Sequence, residues 1–281
     1  MDGGRRALVG ALRRPRYEVL PLARAAEAVV ACVPREVTIT VTASPARGME
    51  ATLALAERLV GEGYTVVPHL SARLVRDRAH LAELLGRLAA ARLDDVFVVA
   101  GDRPEPAGPY PDALGLLEAV RAAGHAFREV GITGYPESHP LIDDDVTIQA
   151  MWDKRRLATY IVSNMCFDPR VISRWVARVR RRGVTLPLHV GVPGLADAAR
   201  LARISSRIGI GESARFLRWH ANLLLRMVVP GVYRPDRLLA GLEPDLAAPE
   251  LGVRGLHFFT FNELERTESW RRAMLASLGE P

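Results

Sequence analysis

The residues able to do chemistry in this sequence stand at the ends of short apolar runs rather than in one contiguous motif. Glu18 lies within YEVL, Thr42 and Ser44 close the run VTITVTAS, His69 and Ser71 close YTVVPHLS, and Asp102 follows VFVVAG. Tyr135, Glu137 and His139 come after EVGIT, Asn164 lies in YIVSNM and His189 in PLHV. Acids, imidazoles and an amide in such company serve general acid–base chemistry and the orientation of a polar ring. Each has a plainer reading. Glu18 is also what a surface acid near the N-terminus looks like, although its neighbours Tyr17, Val19 and Leu20 favour partial burial. Asp102 is also a turn residue between Gly101 and a proline, and His69 a core histidine. Asn164, flanked by strand residues, demands partners whatever its role.

Other chemistries find less support. No HExxH, HxH or paired-aspartate ladder marks a metal site, and no GxGxxG or Walker sequence marks a phosphate cradle. Lys154, the sole lysine, is the one candidate for Schiff-base chemistry of the aldolase type, yet it falls inside a helical pattern, where it would point outward or across the rim. Cys32 and Cys166 are far apart, have no metal-type spacing, and read as small buried hydrophobes.

The elements that must position these residues follow from hydrophobic period. Short apolar runs alternate with longer amphipathic stretches along almost the whole chain, the mark of repeated βα units and a parallel sheet. The runs predict strands at Tyr17–Leu20, Val37–Ala43, Tyr64–His69, Val96–Ala100, Glu129–Thr133, Tyr160–Met165, Pro187–Val190 and Gly255–Thr260. Helical patterns separate them, at Ala23–Cys32, Glu50–Glu62, His80–Ala91, Asp112–Ala123, Val146–Leu157, Val171–Arg182 and Leu195–Ile208, with Asn262–Leu278 last. Asp168 before Pro169 predicts an N-cap with a first-turn proline, and Gly124 and Gly183 predict helix stops. The stretch Gly209–Gly252 is too long for one connection and predicts extra helices, at Ser213–Met227 and Arg237–Leu242. The fold class is therefore α/β, a single (βα)₈ TIM barrel spanning 1–281 with extra helices between strands 7 and 8. Such barrels carry their active sites at the C-terminal strand ends.

Bulk properties narrow the partners. The chain has 281 residues, 49% hydrophobic and 25% charged, a soluble globular balance with a sizeable core. No apolar run is long enough to span a membrane, and the N-terminal patch is interrupted too soon for a signal peptide, so the expected location is the cytoplasm. The formal charge of +6 comes from arginines spread along many segments. The dense cluster Arg178, Arg180, Arg181 and Arg182 reads as the solvated last turn of a helix, and no nucleic-acid partner is expected.

The order of these motifs resembles the methylenetetrahydrofolate reductase family. YEVLPL is similar to that family's FEFFPP-type first strand, TVTASPARG to its second-strand turn, PHLS to PHLT, and VVAGDRP to LRGDxP. GYPESHP resembles YPExHP, SNMCFD resembles TQFFFD, and HFFTFN resembles HFYTLN. Each match is weak alone; seven in family order are specific. The resemblance implies a TIM barrel that reduces 5,10-methylenetetrahydrofolate to 5-methyltetrahydrofolate with NADH or NADPH. It implies that Glu18 is the proton-delivering acid, that Asp102 is the carboxylate beside the pterin, and that Asn164 stands where most members bind pterin with Gln. Thr42, His69 and Tyr135 match positions that contact flavin in FAD-dependent members, and Tyr135 also lines the substrate. The departures concern the flavin. Ala100 replaces the Arg before Gly-Asp, DKRR is displaced relative to the family's basic segment, and strand one lacks the aromatic-proline run. This pattern resembles the actinobacterial flavin-independent branch, in which hydride passes directly from nicotinamide; an FAD-dependent enzyme is the alternative. A monomer or small homo-oligomer is expected.

Overall fold

Eight parallel strands close into a barrel in strict sequence order, β1 to β8, with β1 paired to both β2 and β8. The computed structural model describes residues 3–125, 127–137, 143–195 and 235–279. The strands are β1 (Arg16–Val19), β2 (Thr38–Val41), β3 (Val66–Ser71), β4 (Asp95–Val99), β5 (Glu129–Gly134), β6 (Tyr160–Ser163), β7 (Leu188–Pro193) and β8 (Val253–Phe259). All eight expected strands are present. Among the described residues the helices are α1 (Gly3–Arg13), α2 (Ala25–Cys32), α3 (Gly48–Gly61), α4 (Arg78–Ala90), α5 (Ala113–Ala122), α6 (Asp144–Lys154), α7 (Pro169–Arg181), α8 (Asp236–Ala247) and α9 (Leu264–Ser277).

Local chemistry fixes the helix boundaries. The carboxylates of Asp77, Asp112 and Asp168 accept the backbone N–H groups of His80, Gly115 and Arg170, and Pro169 opens α7 as expected. Gly124 and Gly183 end their helices at φ of +73° and +79°, the left-handed conformation that glycine adopts without steric cost. The extra helix expected at Arg237–Leu242 lies within α8, between β7 and β8. The patterns at Leu195–Ile208 and Ser213–Met227 fall, apart from Leu195, outside the described residues. Helix α1 was not foreseen; it buries Leu8, Val9 and Leu12 and packs against α8 and β8.

Some surface readings change. Arg180 is not a solvated cation: its Nε donates to Leu251 O and its Nη1 to Val184 O, tying α7 to the β8 approach. Lys154 is buried at the end of α6 rather than pointing outward, and burial lowers its pKa. Cys166 is buried as expected, whereas Cys32 is only half-buried.

Side-chain alternation separates the barrel's interior from the layer beneath the helices. Tyr17 faces outward, donating its hydroxyl to Glu268 Oε2 of α9 at 3.1 Å, and Phe258 packs on Trp270 of the same helix. Arg16 and Glu18 face inward. Arg16 reaches across to Asp95 Oδ2 at 2.9 Å and to the Tyr160 hydroxyl at 2.7 Å, and that hydroxyl donates to Asp95 Oδ1 at 2.8 Å. These residues begin β1, β4 and β6, so the network closes the N-terminal end of the barrel. Burial opposes the Arg16 charge, but Tyr160 and Asp95 outweigh it and raise its pKa. Burial pushes the Asp95 carboxyl up, against the pull of the guanidinium. Above this plug the register brings Val67, Phe97, Tyr160 and Val162 together as an interior apolar cluster. A Cβ at Gly131 would lie 2.4 Å from the Tyr160 ring and 2.5 Å from Phe97, so only glycine admits both rings.

Breaking a buried ion pair leaves an uncompensated charge, at a cost of roughly 3–5 kcal/mol. Arg16→Met should therefore destabilise the protein by about that amount in urea denaturation, and adding Asp95→Asn should recover most of the loss. A double variant as unstable as the single one would show that packing, not charge, sets the cost.

Candidate active site

Parallel strands put all their C-terminal ends on one face, and Glu18 approaches that face from the interior. Its register partners are Thr40 on β2 and Phe259 on β8. Its side chain is 17% exposed, and Oε2 lies 3.2 Å from His257 Nε2 and 3.8 Å from His69 Nε2. The backbone at and just past Glu18 is clamped by residues that follow β8: Thr260 Oγ1 donates to Glu18 O at 2.6 Å, and the Asn262 side chain brackets Leu20, accepting from its N–H at 2.8 Å and donating to its carbonyl at 3.0 Å. Phe261 and Asn262 carry φ of +51° and +59°, a conformation Asn tolerates and Phe does not favour.

The other expected residues take these places. His69 sits mid-strand in β3, which runs on to Ser71; its ring is tilted against Phe97 with centroids 4.8 Å apart. Burial lowers its pKa to about 4, outweighing the attraction of Glu18. Thr42 follows β2; its Oγ1 is buried with no hydrogen-bond partner, while its carbonyl accepts from Thr52 at 2.8 Å. Asp102 is exposed in the loop after β4 and close enough to Tyr135 to act on it electrostatically. Tyr135 follows β5; burial raises its pKa, and it hydrogen-bonds Thr133. Asn164 follows β6, its N–H donating to Gly134 O and its Oδ1 accepting from Met165 N at 2.8 Å. Glu137 is exposed and receives the Cys166 thiol at 3.4 Å; His139 lies outside the described residues.

One placement is corrected. His189 is not at the rim, because β7 continues to Pro193 and leaves it second in the strand. It stands low in the barrel, edge-on to Tyr160 at 5.5 Å, and burial lowers its pKa well below the usual value. His257, which touches Glu18, was missed. The pattern LHFF held the signal, because Leu256 and Phe258 are buried against the helices while His257 shares the inward parity of Phe259. Thr260, Asn262 and the Arg16–Asp95–Tyr160 plug were likewise unread.

A carboxyl in a narrow barrel, open toward the strand ends and backed by imidazoles, can hold and release a proton toward a ring lying across the mouth. Lys154, ending a helix, is not offered from a strand end. Among the described residues no cluster of His, Cys, Asp and Glu is arranged to hold a metal ion.

The model of the methylenetetrahydrofolate reductase family matches residues 15–211. The chain belongs to that family. A relative, methylenetetrahydrofolate reductase 2 of Saccharomyces cerevisiae, is 24% identical over 120 residues, which is 39% of this chain and 20% of the yeast protein. The match thus spans about a fifth of that reductase's length. Among solved structures, dihydropteroate synthase from Thermus thermophilus aligns at a TM-score of 0.45 and 15% identity, covering 95% of this chain and 94% of that one. A Burkholderia cenocepacia structure described as a lyase/mutase aligns at 0.45 and 17%, covering 99% and 86%. Neither likeness bears on function. In this barrel Glu18, the Gly101–Asp102 turn and the end of the HFFTFN segment lie toward the C-terminal ends of β1, β4 and β8.

The depressed pKa of His69 has a sign that can be checked. The unfolded chain binds a proton near pH 6.5 that the folded chain refuses until about 4, so stability is full above 6.5 and falls as pH drops toward 4. Between pH 7 and 4.5 this one ring should cost roughly 2–3 kcal/mol, with His189 acting in the same direction. His69→Gln should lose that much less across the interval in urea denaturation; an unchanged pH dependence would remove His69 as a source.

Proposed function

We propose that this protein, residues 1–281 forming one barrel domain, reduces 5,10-methylenetetrahydrofolate to 5-methyltetrahydrofolate by direct hydride transfer from NADH or NADPH. The observation that carries the reading is Glu18, an inward carboxyl held from β8 beneath the strand-end mouth, in a chain of this family. Its proton opens the five-membered ring: the C–N bond breaks toward the protonated nitrogen, and an iminium cation forms at N5. Hydride from the nicotinamide then adds to the methylene carbon, leaving NAD(P)⁺. Asp102 faces the developing positive charge, an electrostatic role. Asn164, with Oδ1 engaged by Met165, offers its Nδ2 to the pterin edge. Tyr135 lines the same mouth.

The flavin-free route rests on the donor set. Thr42, His69 and Tyr135 would meet a flavin, and the orphaned Thr42 Oγ1 suits a flavin or a nicotinamide carboxamide equally. The cation of the flavin-binding pattern is what is missing. Position 100 is Ala, whose carbonyl accepts from Arg73 N at 2.9 Å. The Arg73 guanidinium is committed to the loop, donating to Pro111, Arg103 and Pro104 carbonyls at 2.8–3.0 Å. These residues do not fit a flavin held as the FAD-dependent members hold it. No helix among the described residues is long and apolar enough to cross a membrane.

The purified protein should show no flavin absorbance, oxidise NADH or NADPH only with methylenetetrahydrofolate present, and give intersecting rather than ping-pong kinetics. Glu18→Gln should lose ~10²–10⁴-fold in kcat, the usual worth of a general acid, while folate affinity holds. A yellow protein, or a Glu18→Gln variant at full rate, would overturn the corresponding half of the reading.

A further inference from the structure

The two oxygens of the Glu18 carboxyl have unequal surroundings. Both imidazole contacts fall on Oε2, and Oε1 has no hydrogen-bond partner among the described residues. The contacts are unequal. At 3.8 Å His69 is too far for a hydrogen bond, and its buried ring stays neutral down to about pH 4, so it is no proton source near neutrality. His257 is 1% exposed, and its Nε2 is within bonding reach of Oε2.

The tautomer of His257 follows from its other nitrogen. Nδ1 is buried with no partner. A neutral imidazole has one N–H, and a buried donor without an acceptor is the costlier orphan. The hydrogen therefore belongs on Nε2, where a carboxyl oxygen accepts it. Around this pair, Phe259 on the same strand meets the ring edge-on at 4.9 Å, Arg16 beneath is tied to Asp95 and Tyr160, and Thr40, the register neighbour of Glu18, has a buried hydroxyl that makes no hydrogen bond.

We propose that His257 is a positioning residue for proton delivery, its Nε2–H held on Glu18 Oε2 so that Oε1 carries and surrenders the proton. The proposal rests on the reading of Glu18 as the acid. In the step, the Oε1–H bond breaks, an N–H bond forms on the folate nitrogen, and the ring C–N pair goes to that nitrogen. His257 keeps its own proton throughout and stabilises the carboxylate left behind.

The test compares His257→Leu with His257→Gln, whose amide N–H₂ can replace the imidazole donor, each in the native and the Glu18→Gln background. His257→Leu should lower kcat roughly ten- to hundred-fold, the worth of a hydrogen bond to a charged group, with KM for methylenetetrahydrofolate nearly unchanged. His257→Gln should recover most of the rate, and His257→Leu should cost nothing further once Glu18 is Gln. Equal losses in the Leu and Gln variants, or a full loss repeated in the Glu18→Gln background, would overturn the proposal. Nitrogen-15 NMR of labelled histidine gives a readout independent of turnover. His257 should carry its hydrogen on Nε2, and a hydrogen on Nδ1 would rule the arrangement out. If the native protein fails to turn over methylenetetrahydrofolate, the reductase reading falls, and the nitrogen spectrum still decides the His257–Glu18 pairing.

Discussion

The inside of a closed parallel barrel is nearly dry, so a fixed charge pointing into it needs a counter-charge within the barrel. Arg16 meets that constraint by bonding Asp95 and Tyr160, joining β1, β4 and β6, which share no backbone ladder. The consequence reaches two residues further. Strand side chains repeat with period two, and a one-residue slip would turn the whole set over. The ion pair that holds Arg16 inside therefore also holds Glu18 inside, and holds Tyr17 outside against the buried Glu268–Arg271 pair of α9. The plug at the bottom of the barrel orients the acid near its top.

Orientation of a side chain is not yet placement of an atom. That is the work of β8 and the residues after it. Thr260 bonds the Glu18 carbonyl and Asn262 brackets Leu20 just past it, at the cost of positive φ at Phe261 and Asn262. A bulky residue in that conformation persists only where its surroundings over-determine it, and the clamp on Leu20 supplies the determination. His257, on the same strand, then meets one oxygen of the carboxyl and leaves the other open.

Much of the fold was legible because buried parallel strands are apolar runs between amphipathic helices, and both signals are strong here. All eight strands were expected, several within a residue or two of their bounds. What failed were strand ends and inward parity. His189 read as a rim residue because the run PLHV stops before the strand does; the following Gly191 and Pro193 look like turn residues but remain in β7. Arg16 escaped notice because it stands just ahead of the run YEVL, and His257 because a polar residue inside an apolar run is usually the solvent side of a strand, whereas in this barrel it is the interior. Arg180 escaped for the same reason on a helix: its row of arginines reads as solvated charge, yet its two carbonyl bonds exist only once α7 and the β8 approach are packed. Glu18, Asp102 and Asn164 stood out as polar residues at the ends of apolar runs, and the resemblance in motif order supplied the separate roles expected of them. The mutual placement of Glu18 with His257 is a long-range fact, spanning nearly the whole chain.

The charge inside the barrel is arranged in a way that suits the proposed chemistry. Ring opening makes a cation at N5, and hydride transfer leaves a second cation on the nicotinamide. A protonated imidazole beside them would raise both barriers. Burial keeps His69 and His189 neutral near pH 7, and the charge of Arg16 is met by Asp95 below. In the proposed reaction, the carboxylate left on Glu18 supplies an interior counter-charge to the iminium. The same burial that makes His69 a burden on stability in acid is what keeps positive charge out of the site while the cation lasts.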